Sequence, residues 1–215
     1  MKMATLKQAG KVLKLVEETE IPLEQLQKLL ASGLLSDLLK ANLDEINRHE
    51  FRKLCGLVRF PVWKTIKIGT GLKTAEEFRQ ALNREEFDVN EWANYILGKP
   101  DFTIVTQKIE LNLVKTTARE LGFKIKVRCN QIFSRAKELG LELCPAEVGP
   151  QLRLQYKDQP NNEYPLLIAM KPIAGLDGNL EVFSVAHSVS GSWLGVTSYN
   201  SSLLDRQWAF VLPQK

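Results

Sequence analysis

The sequence predicts an α+β protein with helices first and strands last. Three observations carry that expectation. Residues 5–57 place apolar residues at helical spacing throughout. After Pro160 that period disappears, and short runs rich in β-branched and aromatic residues replace it. The stretch between carries both textures. The expected domains are a helical module over residues 1–58, read as a small antiparallel bundle, and an α+β domain over residues 59–215. The latter is a mixed α/β region followed by an antiparallel, β-rich C-terminal half.

In the first segment Leu6, Ala9, Val12, Leu13 and Val16 share one helix face. Pro22 opens a second helix bearing Leu23, Leu26, Leu29 and Leu30. Gly33 breaks it, and Leu34, Leu35, Leu38 and Leu39 begin a third. Asn42 or Asp44 can cap a fourth, with Ile46, Phe51, Leu54 and Leu57 as its stripe and Gly56 at its end. The hairpin of the second and third helices has a helix-turn-helix outline. Its second helix, however, presents only Ser36, Asp37 and Lys40 where a DNA-reading helix presents Arg, Lys, Asn or Gln. Packing is therefore its preferred role.

Residues 62–68, VWKTIKI, alternate imperfectly and predict a strand ended by Gly69 and Gly71. Thr74 with Glu77 predicts a capping box, followed by Phe78, Ala81 and Leu82 facing inward. Asn90 caps the next helix, whose stripe is Trp92, Ala93, Ile96 and Leu97 and whose stop is Gly98 with Pro100. Residues 102–116 read as β, residues 130–139 as a helix ended by Gly140, and residues 141–143 as a short strand. Residues 149–156 fit either a helix or a strand. Further strands are expected at 165–173, 180–185, 192–196 and 207–212, with Asp177-Gly178-Asn179 as a hairpin turn.

Composition excludes several functions. The 215 residues are 44% hydrophobic and 25% charged, ordinary for a soluble globular chain. No apolar run approaches the roughly 20 residues of a membrane span. Lys7, Lys11 and Lys14 interrupt the N-terminal stretch, which is therefore not a secretory signal, and a cytoplasmic location is expected. Cys55, Cys129 and Cys144 are widely spaced without a CxxC, and His49 and His187 are the only histidines. Neither a disulfide framework nor a metal site is expected. Phosphate-cradling glycine motifs are absent, so no cofactor is expected either.

Charge is unevenly spread. Between Arg48 and Lys73 there are seven basic residues against one acid, Glu50; between Lys115 and Arg128 there are five against Glu120. Clustered positive charge favours polyanions. The expected function is accordingly a non-enzymatic binding or regulatory protein, with nucleic acid as the foremost ligand class. Arg59, Lys64, Lys67 and Lys73 form one candidate phosphate-contacting set, and Lys124, Lys126 and Arg128 a second. Trp63, beside Lys64 and Lys67, is the best placed of the four tryptophans to stack on a base.

Two rival readings remain. The first is a hydrolase-like enzyme built on Cys144, Glu147, Arg153 and Tyr156, which requires these side chains to converge in one cleft. Against it, a free cysteine is commonly buried, and Glu147 can instead cap the helix start or pair with Arg153. The second is a protein–protein adaptor using the leucine-rich helices at 21–43.

Five stretches resemble an uncharacterised family of small bacterial proteins: FPVWKTIKIGTGLKTAEEFRQAL at 60–82, WANYILGKPDFT at 92–103, RAKELGLELCPAEVGPQLRLQY at 135–156, LLIAMKPI at 166–173 and WAFVLPQ at 208–214. The resemblance spans about residues 60–215. It departs at HSVSGSWLGVTSYNSS, residues 187–202, where such proteins often keep a smoother acidic or polar turn. It implies a family without an activity, so no catalytic residue carries over. The helical segment ahead of it would then be a variable addition.

Overall fold

The computed structural model describes residues 6–42, 45–46, 51, 55, 60–161, 163–201 and 204–213. The chain divides into two compact units, Met1–Cys55 and Gly56–Lys215. Helices dominate the first and strands the end of the second, an α+β architecture.

The first unit contains α1 (Leu6–Glu18), α2 (Leu23–Ala31) and α3 (Leu34–Lys40). Pro22 precedes α2, and Gly33, at φ 78°, supplies the left-handed residue between α2 and α3. The i,i+4 pair Glu24–Lys28, at 2.7 Å, adds a few tenths of a kcal/mol to α2, about 0.2–0.5. The expected bundle core is open here: α2 and α3 contain no buried residue. Leu23 and Leu39 are 70% and 76% exposed. The fourth expected helix, with Leu54 and Leu57, lies mostly outside the described residues.

The second unit is one sheet with helices on both faces. Its strands are β1 (Lys64–Ile68), β2 (Asp88–Val89), β3 (Ile109–Thr117), β4 (Leu166–Ile168), β5 (Ile173–Ala174), β6 (Leu180–Ser188), β7 (Gly191–Ser198) and β8 (Gln207–Leu212). Its helices are α4 (Ala75–Arg84), α5 (Glu91–Leu97), α6 (Cys129–Glu138) and α7 (Val148–Gln155). The spatial order is β1-β3-β8-β4-β6-β7-β2, and β5 pairs with β6 beside β4.

Most pairs are antiparallel, but β4 runs parallel to β8 and β2 parallel to β7. The β4–β8 pair corrects the antiparallel expectation for the C-terminal part. Chain neighbours β6 and β7 form a hairpin, whereas β8 crosses back to lie between β3 and β4, so its direction is set by sheet position rather than by a short turn. The expected strand 165–173 is two short pieces, β4 and β5. Residues 141–143 contribute a single bridge at Glu142 rather than a strand, with a further bridge just beyond at Cys144, and residues 102–108 precede β3 without strand pairing.

Local signals place the helices. The Thr74 hydroxyl accepts from Glu77 N at 3.1 Å, while the Glu77 carboxylate accepts from Lys73 N at 2.6 Å, one residue earlier than in a standard capping box. Asn90 Oδ1 accepts from Ala93 N at 2.7 Å. Gly140, at φ 84°, lets Leu141 N donate to Ala136 O and ends α6. In the β5–β6 turn the Asp177 carboxylate accepts from Asn179 N at 3.0 Å, and Gly178 takes φ 80°.

Register and alternation assign the two faces. Trp208 lies opposite Leu167, and Leu167 opposite Ser184, so these share a face. Phe133 of α6 packs edge-on against Trp208 and Phe210, with centroids 5.3 and 6.0 Å apart. Phe183, next to Ser184, points the other way and meets α7. The helices α6 and α7 therefore cover opposite faces, with Leu113, Ile168, Val185, Trp208 and Phe210 among the wholly buried residues between them.

The ambiguous residues 149–156 are helical. A strand would alternate Leu152 and Leu154 with polar residues, but the helix buries Val148, Gln151, Leu152 and Arg153 together. Close approach is possible because of Gly149. A Cβ there would lie 2.6–2.7 Å from the Phe183 side chain, nearer than real contacts allow. Replacing Gly149 with Ala is expected to lower unfolding free energy by about 1–3 kcal/mol, the range for overpacking. Adding Phe183→Leu should recover part of that loss if the clash is the cause. Chemical denaturation of the single and double variants measures the coupling.

Candidate functional site

The polar cluster between Cys144 and Tyr156 is built by α7 and the turn before it. Cys144 is 4% exposed, and its thiol donates to Ala209 O at 3.3 Å. Burial pushes that thiol far above its ordinary range. Glu147 is wholly buried at the entrance of α7. One carboxylate oxygen accepts from Gly69 N at 2.8 Å and the other from Val105 N at 2.7 Å. Gln151 Nε2 adds a third bond to Glu147, at 3.1 Å, and also reaches Thr70 Oγ1 at 2.7 Å. Gln155 then joins Gln151 at 3.1 Å and brackets the Lys67 backbone, accepting from N at 2.9 Å and donating to O at 2.7 Å. Glu147, Gln151 and Gln155 are spaced i,i+4, which puts them on one side of the helix.

Arg153 projects elsewhere, and Glu147, though at the N-cap of α7, makes no side-chain capping bond, so neither of its two expected roles, capping that helix or pairing with Arg153, is formed. Its guanidinium is wholly buried and donates to Gln159 Oε1 at 2.7 Å, Ala186 O at 3.0 Å and Tyr156 O. It lies 4.9 Å from the Phe87 ring centre. Burial pulls its pKa down to about 10. Tyr156 stands edge-on to Trp63 at 5.0 Å, and burial raises its phenol. Of the four residues of the enzyme reading only Arg153 and Tyr156 meet, through the Tyr156 backbone carbonyl; Cys144 bonds a strand carbonyl, Glu147 loop amides, and the Tyr156 ring packs on Trp63. They do not assemble as nucleophile, base and orienting group.

The two basic segments differ. Lys64 pairs with Asp158 at 3.1 Å and lies over the Tyr156 ring at 4.9 Å. Lys115 pairs with Glu163 at 3.3 Å and lies 5.5 Å from the Trp63 ring. Lys67 pairs with Glu110 at 3.6 Å across the β1–β3 ladder. Trp63 is thereby half-buried in packing and cation contacts. Lys73 is exposed near the start of α4. Arg59, with Arg48, Arg52 and Lys53, lies outside the described residues. In the second segment Arg119 is taken by Asp205 at 2.9 Å. Lys124, Lys126 and Arg128 are exposed on the loop leading into α6, and their side chains make no ion pair among the described residues. Between them Ile125 is 73% exposed.

Two features went unremarked in the sequence. His187 Nδ1 lies 2.7 Å from Ser192 Oγ as a cross-strand pair of the β6–β7 hairpin. Only the alternation on both strands could have placed them opposite one another. A cleft of about 460 Å³ opens beside α6, lined by Phe133, Ser134, Lys137, Leu141, Glu142, Leu143 and Phe210. Ser134 and Lys137 are spaced i,i+3, a signal in principle available from sequence.

Comparison with protein-family models, curated proteins and solved structures finds no match to this chain. The site is therefore read from its own geometry. Among the described residues no group of three or more His, Cys, Asp or Glu is placed to hold a metal ion, and no helix is long and apolar enough to cross a membrane.

Thiol accessibility tests this arrangement. Cys55 is exposed, whereas Cys129 and Cys144 are buried, with Cys129 pushed up to about 11 by desolvation. An aromatic disulfide reagent at pH 8 is expected to titrate one thiol per chain rapidly, and Cys55→Ser should remove that fast phase. A fast phase surviving in Cys55→Ser would show a reactive Cys144 or Cys129 and overturn the assignment.

Proposed function

We propose that the protein binds a polyanionic partner, foremost nucleic acid, through Lys124, Lys126 and Arg128. The observation that carries this reading is the contrast between the cations that folding pairs with acids and those of the loop before α6. Lys64, Lys67 and Lys115 have carboxylates at 3.1–3.6 Å, whereas the loop before α6 presents three exposed cations free of such partners. A phosphate approaching Lys64 must compete with Asp158, while one approaching Lys126 displaces only water and counterions. The exposed Ile125 offers an apolar contact for a sugar or base edge beside those phosphates. Such a loop contributes affinity without sequence reading.

Binding of labelled single-stranded and duplex DNA and RNA at about 50 and 200 mM salt tests it. The triple charge reversal Lys124→Glu, Lys126→Glu, Arg128→Glu is expected to abolish binding at the lower salt. Charge-neutral Gln at all three positions should flatten the log–log salt slope by about 2–3, one counterion contribution per lost phosphate contact. Lys64→Glu with Lys67→Glu should leave the slope nearly unchanged. Absence of wild-type binding at the lower salt, or equal binding by the triple variant, overturns the proposal.

A second reading concerns the first unit, where α2 and α3 leave Leu23, Leu30, Leu34 and Leu39 exposed. Leucines on one helical hairpin with none buried suit a protein partner, and a second copy of the chain is the simplest one. Sedimentation should then show a dimer that Leu23→Ser, Leu30→Ser, Leu34→Ser dissociates. A monomer independent of concentration overturns this reading.

A further inference from the structure

We propose that the cleft between α6 and the end of β8 binds a small carboxylate with an apolar body. The cleft has a solid floor and an open rim. Phe210 is wholly buried, Leu141 is 1% and Phe133 8% exposed, and their positions are fixed by the edge-on contacts of Phe133 with Trp208 and Phe210. Leu143, 42% exposed, forms one wall. The volume of about 460 Å³ falls within the roughly 300–1,000 Å³ typical of small-molecule sites.

The isolated bridge between Glu142 and Val211 decides which polar groups face inward. Glu142 exchanges both backbone hydrogen bonds with Val211, N to O and O to N at 2.9 Å each. Residues so paired share a face, and Val211 lies on the face opposite Phe210. The bridge therefore sends the Glu142 side chain to the face opposite Phe210, while Leu141 and Leu143 line the cleft. Of the lining side chains, this leaves Lys137 as the charged one and Ser134 as the neutral donor. Lys137 forms no ion pair among the described residues, and the adjacent Glu138 is held by Arg135 at 2.8 Å.

An apolar floor under an unpaired ammonium and a hydroxyl complements one ligand chemistry. The ligand carries a single anionic group for Lys137 and Ser134, and a hydrocarbon portion that lies against Leu143 and the accessible edge of Phe133. Burying the hydrocarbon supplies affinity, at about 25 cal/mol per Å² of apolar surface. The lysine fixes orientation and excludes amines of the same shape. This site differs in ligand and location from the cationic loop, although both adjoin α6.

Titration calorimetry of the full chain with decanoate, decanol and decylamine tests the assignment. Wild type is expected to bind decanoate at least tenfold more tightly than decanol and decylamine. Lys137→Glu, at an exposed position, should invert the preference toward decylamine, and Leu143→Arg should weaken all three by filling the cleft. Equal affinity for the three ligands, no binding of decanoate up to millimolar concentration, or unchanged selectivity in Lys137→Glu would each overturn the proposal. Failure here leaves the nucleic-acid reading standing, since Lys124, Lys126 and Arg128 do not line the cleft.

Discussion

The second unit depends on one buried carboxylate. Glu147 sits where β1 ends, where the loop before β3 begins and where α7 starts, and its two oxygens bind an amide from each of the first two. Transfer of an unpaired carboxylate into an apolar interior is prohibitively costly. Here charge-assisted bonds to Gly69, Val105 and Gln151 offset it, helped by the positive end of the α7 dipole. The consequence is positional: the carboxylate ties these three segments together. Gly69, at φ 64°, is part of the same constraint, since a side chain there would run into the Gln107 carbonyl at 2.1 Å.

The constraint extends along α7 to the sheet edge. As the terminal strand, β1 has an outer rim of unpaired backbone groups, a template for unwanted pairing. Gln155 covers that rim at Lys67 with an amide that mimics a neighbouring strand. The Glu147–Gln151–Gln155 ladder thus anchors the helix at one end and closes the sheet edge at the other. Arg153 does comparable work on the opposite side of α7, holding the Gln159 turn and the β6 backbone. A buried guanidinium held by carbonyls and a ring rather than by a carboxylate fits its lowered pKa.

The legible parts of the sequence were those with local causes. Thr74, Asn90, Gly140 and Asp177-Gly178-Asn179 each act within a few residues, and each lies where capping and turn rules put it. The β8 strand, Gln207–Leu212, coincides with its expected bounds. Illegible parts depend on distant partners. The direction of β4 against β8, the meeting of Glu147 with Gly69, and the pairing of Lys64 with Asp158 are contacts across 78 to 94 residues or a strand crossover. A basic run counted along the chain cannot register the acids that folding brings to it. The dense polar words around Glu147 read as chemistry because burial makes the same demands on residue type as catalysis does: carboxylate, amide and guanidinium groups are needed wherever backbone donors and acceptors must be satisfied out of water.

That distinction separates the two faces of the sheet. On the α7 face Glu147, Gln151, Gln155 and most of the Arg153 guanidinium are spent on internal hydrogen bonds, leaving little capacity for a ligand. On the α6 face Gln131, Arg135 and Glu138 are likewise engaged, but Lys124, Lys126 and Arg128 before the helix, and Lys137 beside the cleft, make no ion pair among the described residues. Ligand binding needs groups whose partners in the free protein are water, because exchanging an internal bond for an external one yields no net gain. By that criterion the proposed binding surfaces fall on α6 and its leading loop, and the segment richest in polar residues is the scaffold that fixes the sheet behind it.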